Sequence, residues 1–131
     1  MATRNGLIKK TKLEEYSNIR KTGIQGITLK EDDELIDVRL TNGNTSIVMV
    51  TAKGLSIRFD EEEVRAVGRT SMGVKGINLG KEDKVIGMEP IENEKDYILA
   101  ITENGFGKRT EVEEYREQAR AGKGVLTYKT T

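Results

Sequence analysis

The sequence predicts an all-β fold, a propeller-like array of small sheets. It reads as repeats of about 50 residues, four short strands each, in an incomplete ring of about two and a half to three blades. Three observations carry this reading. The chain repeats itself with a period of 48 to 51 residues. Within each period the apolar residues come in short β-rich runs, bounded by Gly or by acidic and Asn-containing turns. A sustained 3.6-residue apolar period, which helical repeats of other lengths require, is missing.

The repeats open on Asn5-Gly6-Leu7-Ile8-Lys9-Lys10-Thr11, on Lys53-Gly54-Leu55-Ser56-Ile57-Arg58-Phe59, and on Asn104-Gly105-Phe106-Gly107-Lys108-Arg109-Thr110. Ten residues after each leading glycine stand Tyr16, Val64 and Tyr115. A glycine–aliphatic pair follows, aligned as Gly26-Ile27, Gly76-Ile77 and Gly124-Val125. Residues 31–36 then match 82–86, and 47–51 match 98–102. Strands are expected at 33–41 and 45–51, joined as a hairpin through Asn42-Gly43-Asn44. The pair 84–91 and 97–102 repeats them across a polar connection, with further strands at 54–59 and 73–79. Residues 111–120 taken alone resemble an amphipathic helix. Their counterparts at 12–20 and 60–69 contain Asn18 and Gly68, so a charged loop with at most one helical turn is expected. The whole chain, 1–131, is expected to be one fragment of a repeat domain, with repeats at about 3–50, 51–101 and an incomplete 102–131. Neither end carries an obvious cap, which points to a piece of a longer array.

Composition narrows the chemistry. The chain is 35% hydrophobic, 34% charged and 5% aromatic, and has no Cys, His or Trp. Disulfides, thiolate nucleophiles, Cys/His zinc sites and imidazole bases are therefore excluded. No apolar run approaches the 18 residues of a membrane span, and no secretory signal opens the chain. Absence of cysteine fits a reducing cytoplasm.

Net charge is zero, 22 basic against 22 acidic residues, yet the charges are sorted by repeat phase. Residues 3–30 carry +5, 31–50 carry −4, 51–81 carry +2, 82–101 carry −4 and 102–131 carry +1. Stacked repeats should then present a cationic side and an anionic side. One recurring basic column is the strand exit: Lys9 and Lys10, Arg58, then Lys108 and Arg109. A second group precedes the glycine–aliphatic element: Arg20 and Lys21; Arg65, Arg69 and Lys75; Arg116, Arg120 and Lys123. Lys and Arg beside backbone amides in glycine-rich loops suit phosphate oxygens, which position a duplex without reading its bases. The Gly-rich loops lack nucleotide-fingerprint spacing. The recurring Glu14-Glu15, Glu61-Glu62-Glu63 and Glu113-Glu114 read as solvated edge charges rather than a catalytic pair. No catalytic residue and no metal site are expected.

The run Asn104-Gly105-Phe106-Gly107-Lys108-Arg109-Thr110 with Glu113-Glu114-Tyr115 resembles a repeat of the DNA gyrase A C-terminal domain. So does Val64-Arg65-Ala66-Val67-Gly68-Arg69 followed by Gly73-Val74-Lys75-Gly76-Ile77-Asn78-Leu79-Gly80. The resemblance covers essentially the whole chain. It implies a β-pinwheel, a propeller-like ring whose neighbouring blades exchange strands, here a middle portion lacking the first and last blades. It implies double-stranded DNA wrapped around a basic rim, in a bacterial, nucleoid-associated enzyme of the cytoplasm that supercoils DNA with ATP. Partners implied are the gyrase B subunit together with the remainder of gyrase A. ATP and Mg²⁺ would belong to other parts of that enzyme, with no cofactor in this fragment. Gln118-Ala119-Arg120-Ala121-Gly122-Lys123-Gly124 resembles the family's basic box, with Ala119 and Ala121 replacing an Arg and a Gly. The corresponding domain of topoisomerase IV is the related alternative, and a propeller serving as a protein-interaction platform is the rival from another class. Open blade edges further suggest a homo-oligomer.

Overall fold

The computed structural model describes residues 1–130; residue 131, the last of the third repeat, lies outside the described residues. The described chain is all-β apart from short 3₁₀ turns at Leu13–Tyr16, Glu61–Glu63 and Val112–Glu114. Its strands are β1 (Ala2–Thr3), β2 (Leu7–Ile8), β3 (Leu35–Asp37), β4 (Ser46–Thr51), β5 (Leu55–Asp60), β6 (Val74–Lys75), β7 (Val85–Ile91), β8 (Tyr97–Ile101), β9 (Gly107–Glu111) and β10 (Val125–Leu126). They form three antiparallel sheets, ordered β3-β1-β2-β6, β10-β5-β4-β7 and β8-β9, called here the first, second and third blades.

A local turn repeated three times makes each blade's central hairpin. Between β4 and β5 the Gly54 amide donates to the Thr51 carbonyl at 3.0 Å, and the Leu55 amide donates to Thr51 Oγ1 at 3.1 Å. Thr3 with Gly6 and Leu7, and Thr102 with Gly105 and Phe106, repeat both bonds. An acid 28 to 30 residues further on, in the same repeat, secures the first two turns. Asp33 Oδ1 accepts from the Asn5 amide, and Asp83 Oδ1 from the Lys53 amide, each at 3.0 Å. Gly54 sits at φ +87°, where a side chain is strained, and a Cβ there would meet the Tyr128 carbonyl oxygen. Gly54→Ala is therefore expected to destabilise the fold by more than about 1 kcal/mol, read as a lower midpoint in urea. An unchanged midpoint would refute this account of the turn.

One face of the second hairpin supplies the core. Ile47, Met49, Ile57 and Phe59 alternate inward along β4 and β5 and pack with Ala2, Ile8, Val64, Ile77, Val85 and Met88. Each large side chain so buried contributes about 1.5–3 kcal/mol, and these residues weld the first two blades together.

Strand exchange links the blades in a chain. β6 leaves the second repeat to pair with β2, Ile8 opposite Val74, while β10 leaves the third to pair with β5, Ser56 opposite Val125. This bears out the propeller-like β-pinwheel, but corrects two expectations about its wiring. Residues 33–41 and 45–51 do not form a hairpin: β3 pairs with β1 in the first blade, and β4 begins the second. The Asn42-Gly43-Asn44 segment is a crossing between blades, because the Thr51–Gly54 turn already closes β4 onto β5. The third glycine–aliphatic element also lies three residues later than the sequence alignment puts it. The Gly54 carbonyl accepts from Thr127 and Tyr128 amides, just as the Gly6 carbonyl accepts from Gly76 and Ile77. Gly124 is thus the counterpart of Gly73. Both have positive φ, and a Cβ on either would clash with a strand carbonyl, that of Ser56 or Ile8. The charged stretch after Glu111 contains only its 3₁₀ turn, as the sequence indicated.

Candidate nucleic-acid interface

The strand-exit cations serve the ring. Lys10 Nζ donates to the Glu61 carbonyl at 3.0 Å and lies 3.7 Å from Glu61 Oε1. One repeat later the Arg58 guanidinium donates to the carbonyls of Val112 (3.2 Å) and Tyr115 (3.1 Å) and grips the Glu94 carboxylate. Glu61 and Val112 are the same repeat position, the first residue of the 3₁₀ turn in the second and third repeats. Backbone bonds accompany each clamp: the Val67 amide to the Lys10 carbonyl at 2.8 Å, and the Gln118 amide to the Arg58 carbonyl at 2.6 Å. The Glu61 and Val112 carbonyls each accept one amide within their own turn, from Val64 and Tyr115, and the cation from the preceding blade supplies a second, charged donor.

This corrects two candidates. Arg58 is only 6% exposed and Lys9 only 3%, so neither presents its charge to a phosphate. Lys9 Nζ donates to the Gly26 carbonyl at 2.7 Å and to the Arg69 carbonyl. Burial pushes its ammonium below the usual lysine range, with Arg69 adding to the effect and Glu15 opposing it. Lys10 is half-buried in its clamp. Lys108 and Arg109 are exposed; Lys108 Nζ donates to the Thr127 carbonyl at 3.1 Å, and the Arg109 guanidinium lies 4.5 Å from the Tyr97 ring centre. Lys10, Arg58 and Arg109 therefore do not make one continuous exposed track.

The loop cations are arranged differently. Arg69 Nη1 reaches back to the Gln25 carbonyl and Arg120 Nη1 to the Lys75 carbonyl, both at 2.7 Å, so each loop is tied to the one before it. Arg120 also donates through Nε to the Glu63 carbonyl at 3.1 Å. Both guanidiniums are half-buried. Arg20, in the first loop, is exposed and lines a polar cleft with Glu15, Asn18 and Arg69. The three loops thus lie in series. Along them Arg20, Lys21, Arg65, Lys75, Arg116 and Lys123 are exposed, and among the described residues their side chains have no hydrogen bond or ion pair to protein. Lys12 is exposed in the same region and is missed by the sequence reading. Its counterparts are Asp60 and Glu111, so no basic column marks it.

The charge sorting follows the strands. The Val67 amide on the Lys10 carbonyl, and Gln118 on Arg58, put the basic loops beyond the strand exits. Asp33 and Asp83 hold the hairpin turns at the other end. About 20 Å of strand separates the two ends of a six-residue hairpin such as β4–β5. No helix among the described residues is long and apolar enough to cross a membrane.

Comparison with known proteins agrees with this architecture. The family model described as "DNA gyrase C-terminal domain, beta-propeller" matches residues 1–42, 45–92 and 96–131, breaking inside the two blade crossings. The chain is 47% identical over 131 residues to the DNA gyrase A subunit of Haloquadratum walsbyi, covering 99% of this chain and 15% of that protein. It is 50% identical over 127 residues to the DNA gyrase A subunit of Staphylococcus epidermidis, covering 96% and 14%. The chain therefore spans only about one seventh of the length of these relatives. Among solved structures, the C-terminal domain of DNA topoisomerase IV superposes with TM-score 0.91 at 38% identity, and the DNA gyrase A C-terminal domain with 0.83 at 25%. Each match covers 95% of this chain, and 39% and 41% of the respective solved chains. By its family match, its sequence relatives and its strand-exchanged blades, this chain belongs to the family of DNA gyrase A C-terminal domains.

Proposed function

We propose that this chain binds duplex DNA without reading its sequence and bends it along the basic loops, as part of gyrase A. The observation that carries this reading is the series of exposed cations, Arg20, Lys21, Arg65, Lys75, Arg116 and Lys123, on loops tied to one another through Arg69 and Arg120. Bending 20–30 base pairs through 40–90° costs on the order of 1–6 kcal/mol. Counterions released as phosphates are neutralised offset that cost, roughly one per contact. The clamps and exchanged strands hold the loops at fixed spacing, so the path is imposed by the protein. In the whole enzyme this binding would present DNA to the type II topoisomerase machinery, with the remainder of gyrase A, gyrase B, ATP and Mg²⁺ supplying the chemistry. This chain contributes no catalytic residue of its own. The relatives' name supports gyrase, since the sequence matches at 47–50% identity are gyrase proteins.

The test is a gel shift with two unrelated duplexes at two salt concentrations. Equal affinity for both duplexes, weakening steeply with salt, is expected. Absence of binding at low salt would overturn the proposal and favour a protein-interaction platform.

A further inference from the structure

The two blade junctions differ in how their basic loops meet. At the second junction the loops bond directly: the Ala121 amide donates to the Gly76 carbonyl at 2.9 Å, and the Asn78 amide to the Gly122 carbonyl at 2.8 Å. The matching pairs at the first junction are Thr70 with Gly26 and Thr28 with Ser71. There the Gly26 carbonyl accepts instead from the Lys9 ammonium at 2.7 Å and from the Tyr16 hydroxyl at 2.9 Å. The Thr28 amide reaches the Ser71 carbonyl only at 3.4 Å, and the Thr28 hydroxyl donates to the Thr70 carbonyl. Lys9 Nζ also donates to the Arg69 carbonyl, so one buried ammonium stands between a carbonyl of each loop. The second repeat has Ile57 at this position, fully buried and without a donor. Its Cδ1 lies 3.6 Å from where a Cβ on Gly122 of the third loop would sit. The third repeat has Lys108, which makes the first of the two bonds, to the Thr127 carbonyl at 3.1 Å.

We propose that Lys9 is a positioning residue, a spacer whose ammonium holds the first and second basic loops further apart than the second and third, and so sets the local bend of bound duplex DNA. The bend rests on the DNA-binding reading above; the spacing does not. Two carbonyls cannot bond each other, so a donor has to stand between them. Where Ile57 offers none, an amide of the next loop approaches the carbonyl directly. The strand-exit bonds are the same at both junctions, Val67 to Lys10 and Gln118 to Arg58, and the loops lie beyond them. A wider gap between the loops therefore opens the angle between the first and second blades, and a duplex following the loops turns more sharply there. Lys9 is too buried to touch a phosphate. It acts through the loops that carry Arg20, Lys21, Arg65 and Lys75.

The chain has no cysteine, so introduced pairs can be spin-labelled without background. Thr22, Met72 and Lys123 are exposed, and each precedes the positive-φ glycine of its loop. With labels at Thr22→Cys and Met72→Cys, adding Lys9→Met is expected to shorten their separation by about 2–3 Å, the length of the hydrogen bond removed from between the loops. Lys9→Ile, which supplies the second repeat's residue, should do the same, and Lys9→Arg, which keeps donors, should not. Labels at Met72→Cys and Lys123→Cys should stay put in all three. Hydrogen exchange on the unmodified chain needs no variant: the Thr28 amide is expected to exchange faster than that of Asn78. On an end-labelled duplex, energy transfer should report a smaller bend with Lys9→Met and an unchanged salt slope. A first separation that neither apolar variant shortens overturns the spacer, and so does a Thr28 amide as protected as Asn78. An unchanged bend despite closer loops overturns its role in bending, as does a salt slope shallower by about 0.9, which would make Lys9 a phosphate contact. An unmodified chain that binds no duplex overturns the DNA-binding reading and the bend with it, while the separations still decide the spacer.

Discussion

Arg58→Ala is expected to lower the unfolding free energy by about 3 kcal/mol and the midpoint of thermal unfolding by about 10 °C. The side chain donates to two buried backbone carbonyls; alanine deprives the Tyr115 carbonyl of this donor and leaves the Val112 carbonyl only the Tyr115 amide. A hydrogen bond from a charged group is worth about 1.5–3 kcal/mol, and the Tyr115 carbonyl, deprived of it, adds its own desolvation cost. The ion pair with Glu94 adds little, because that carboxylate is largely exposed to water. Arg58→Lys should recover part of the loss, since Lys10 performs the same task in the preceding repeat with a single ammonium. Calorimetry on the three proteins decides the matter. If alanine costs nothing, Arg58 is not a blade clamp.

The second large effect is expected in DNA binding. The triple variant Arg65→Ala, Arg116→Ala, Lys123→Ala should make the slope of log affinity against log salt shallower by about 3, at roughly 0.9 per lost phosphate contact. Its stability should stay within about 0.5 kcal/mol per site, because these side chains are exposed and bonded to no protein group among the described residues. Fluorescence anisotropy at several salt concentrations reads the slope, and urea unfolding reads the stability. An unchanged slope would remove these residues from the interface. Arg58→Ala should move the second measurement and leave the salt slope of the folded protein alone. The two groups of cations thus separate into one that builds the ring and one that faces outward.

That separation is invisible in the sequence. The repeat, the strand positions within a few residues and the sorting of charge can all be read, because each is a matter of period and sign. A basic residue recurring at one position announces a recurring anionic need without naming its source. For Lys10 and Arg58 the source is a carbonyl of the next 3₁₀ turn, which becomes apparent only when the blades are stacked. The wiring is hidden for a similar reason. Asn42-Gly43-Asn44 has the composition of a hairpin turn, but the tighter Thr51-to-Gly54 closure takes β4 first. The slip at Gly124 arises because two glycines, Gly73 and Gly76, stand three residues apart in the second repeat, and the third repeat keeps a glycine only at the position of Gly73. Its partner there, Thr127, makes the same backbone bond without needing a glycine.

β10 belongs by sequence to the third repeat and by hydrogen bonding to the second blade. A protease cut just before Val125 would therefore leave the hairpin downstream of Asp96 whole while stripping the rim of the sheet behind it. Injury in such a molecule travels toward the N-terminus, one blade upstream of the wound. Gain or loss of one complete 50-residue unit does the opposite, since the junctions it makes or breaks share one pattern of exchanged strand and backbone bonds. Recombination within the gene can then change the circumference in whole blades, whereas a ragged deletion spoils two neighbours at once.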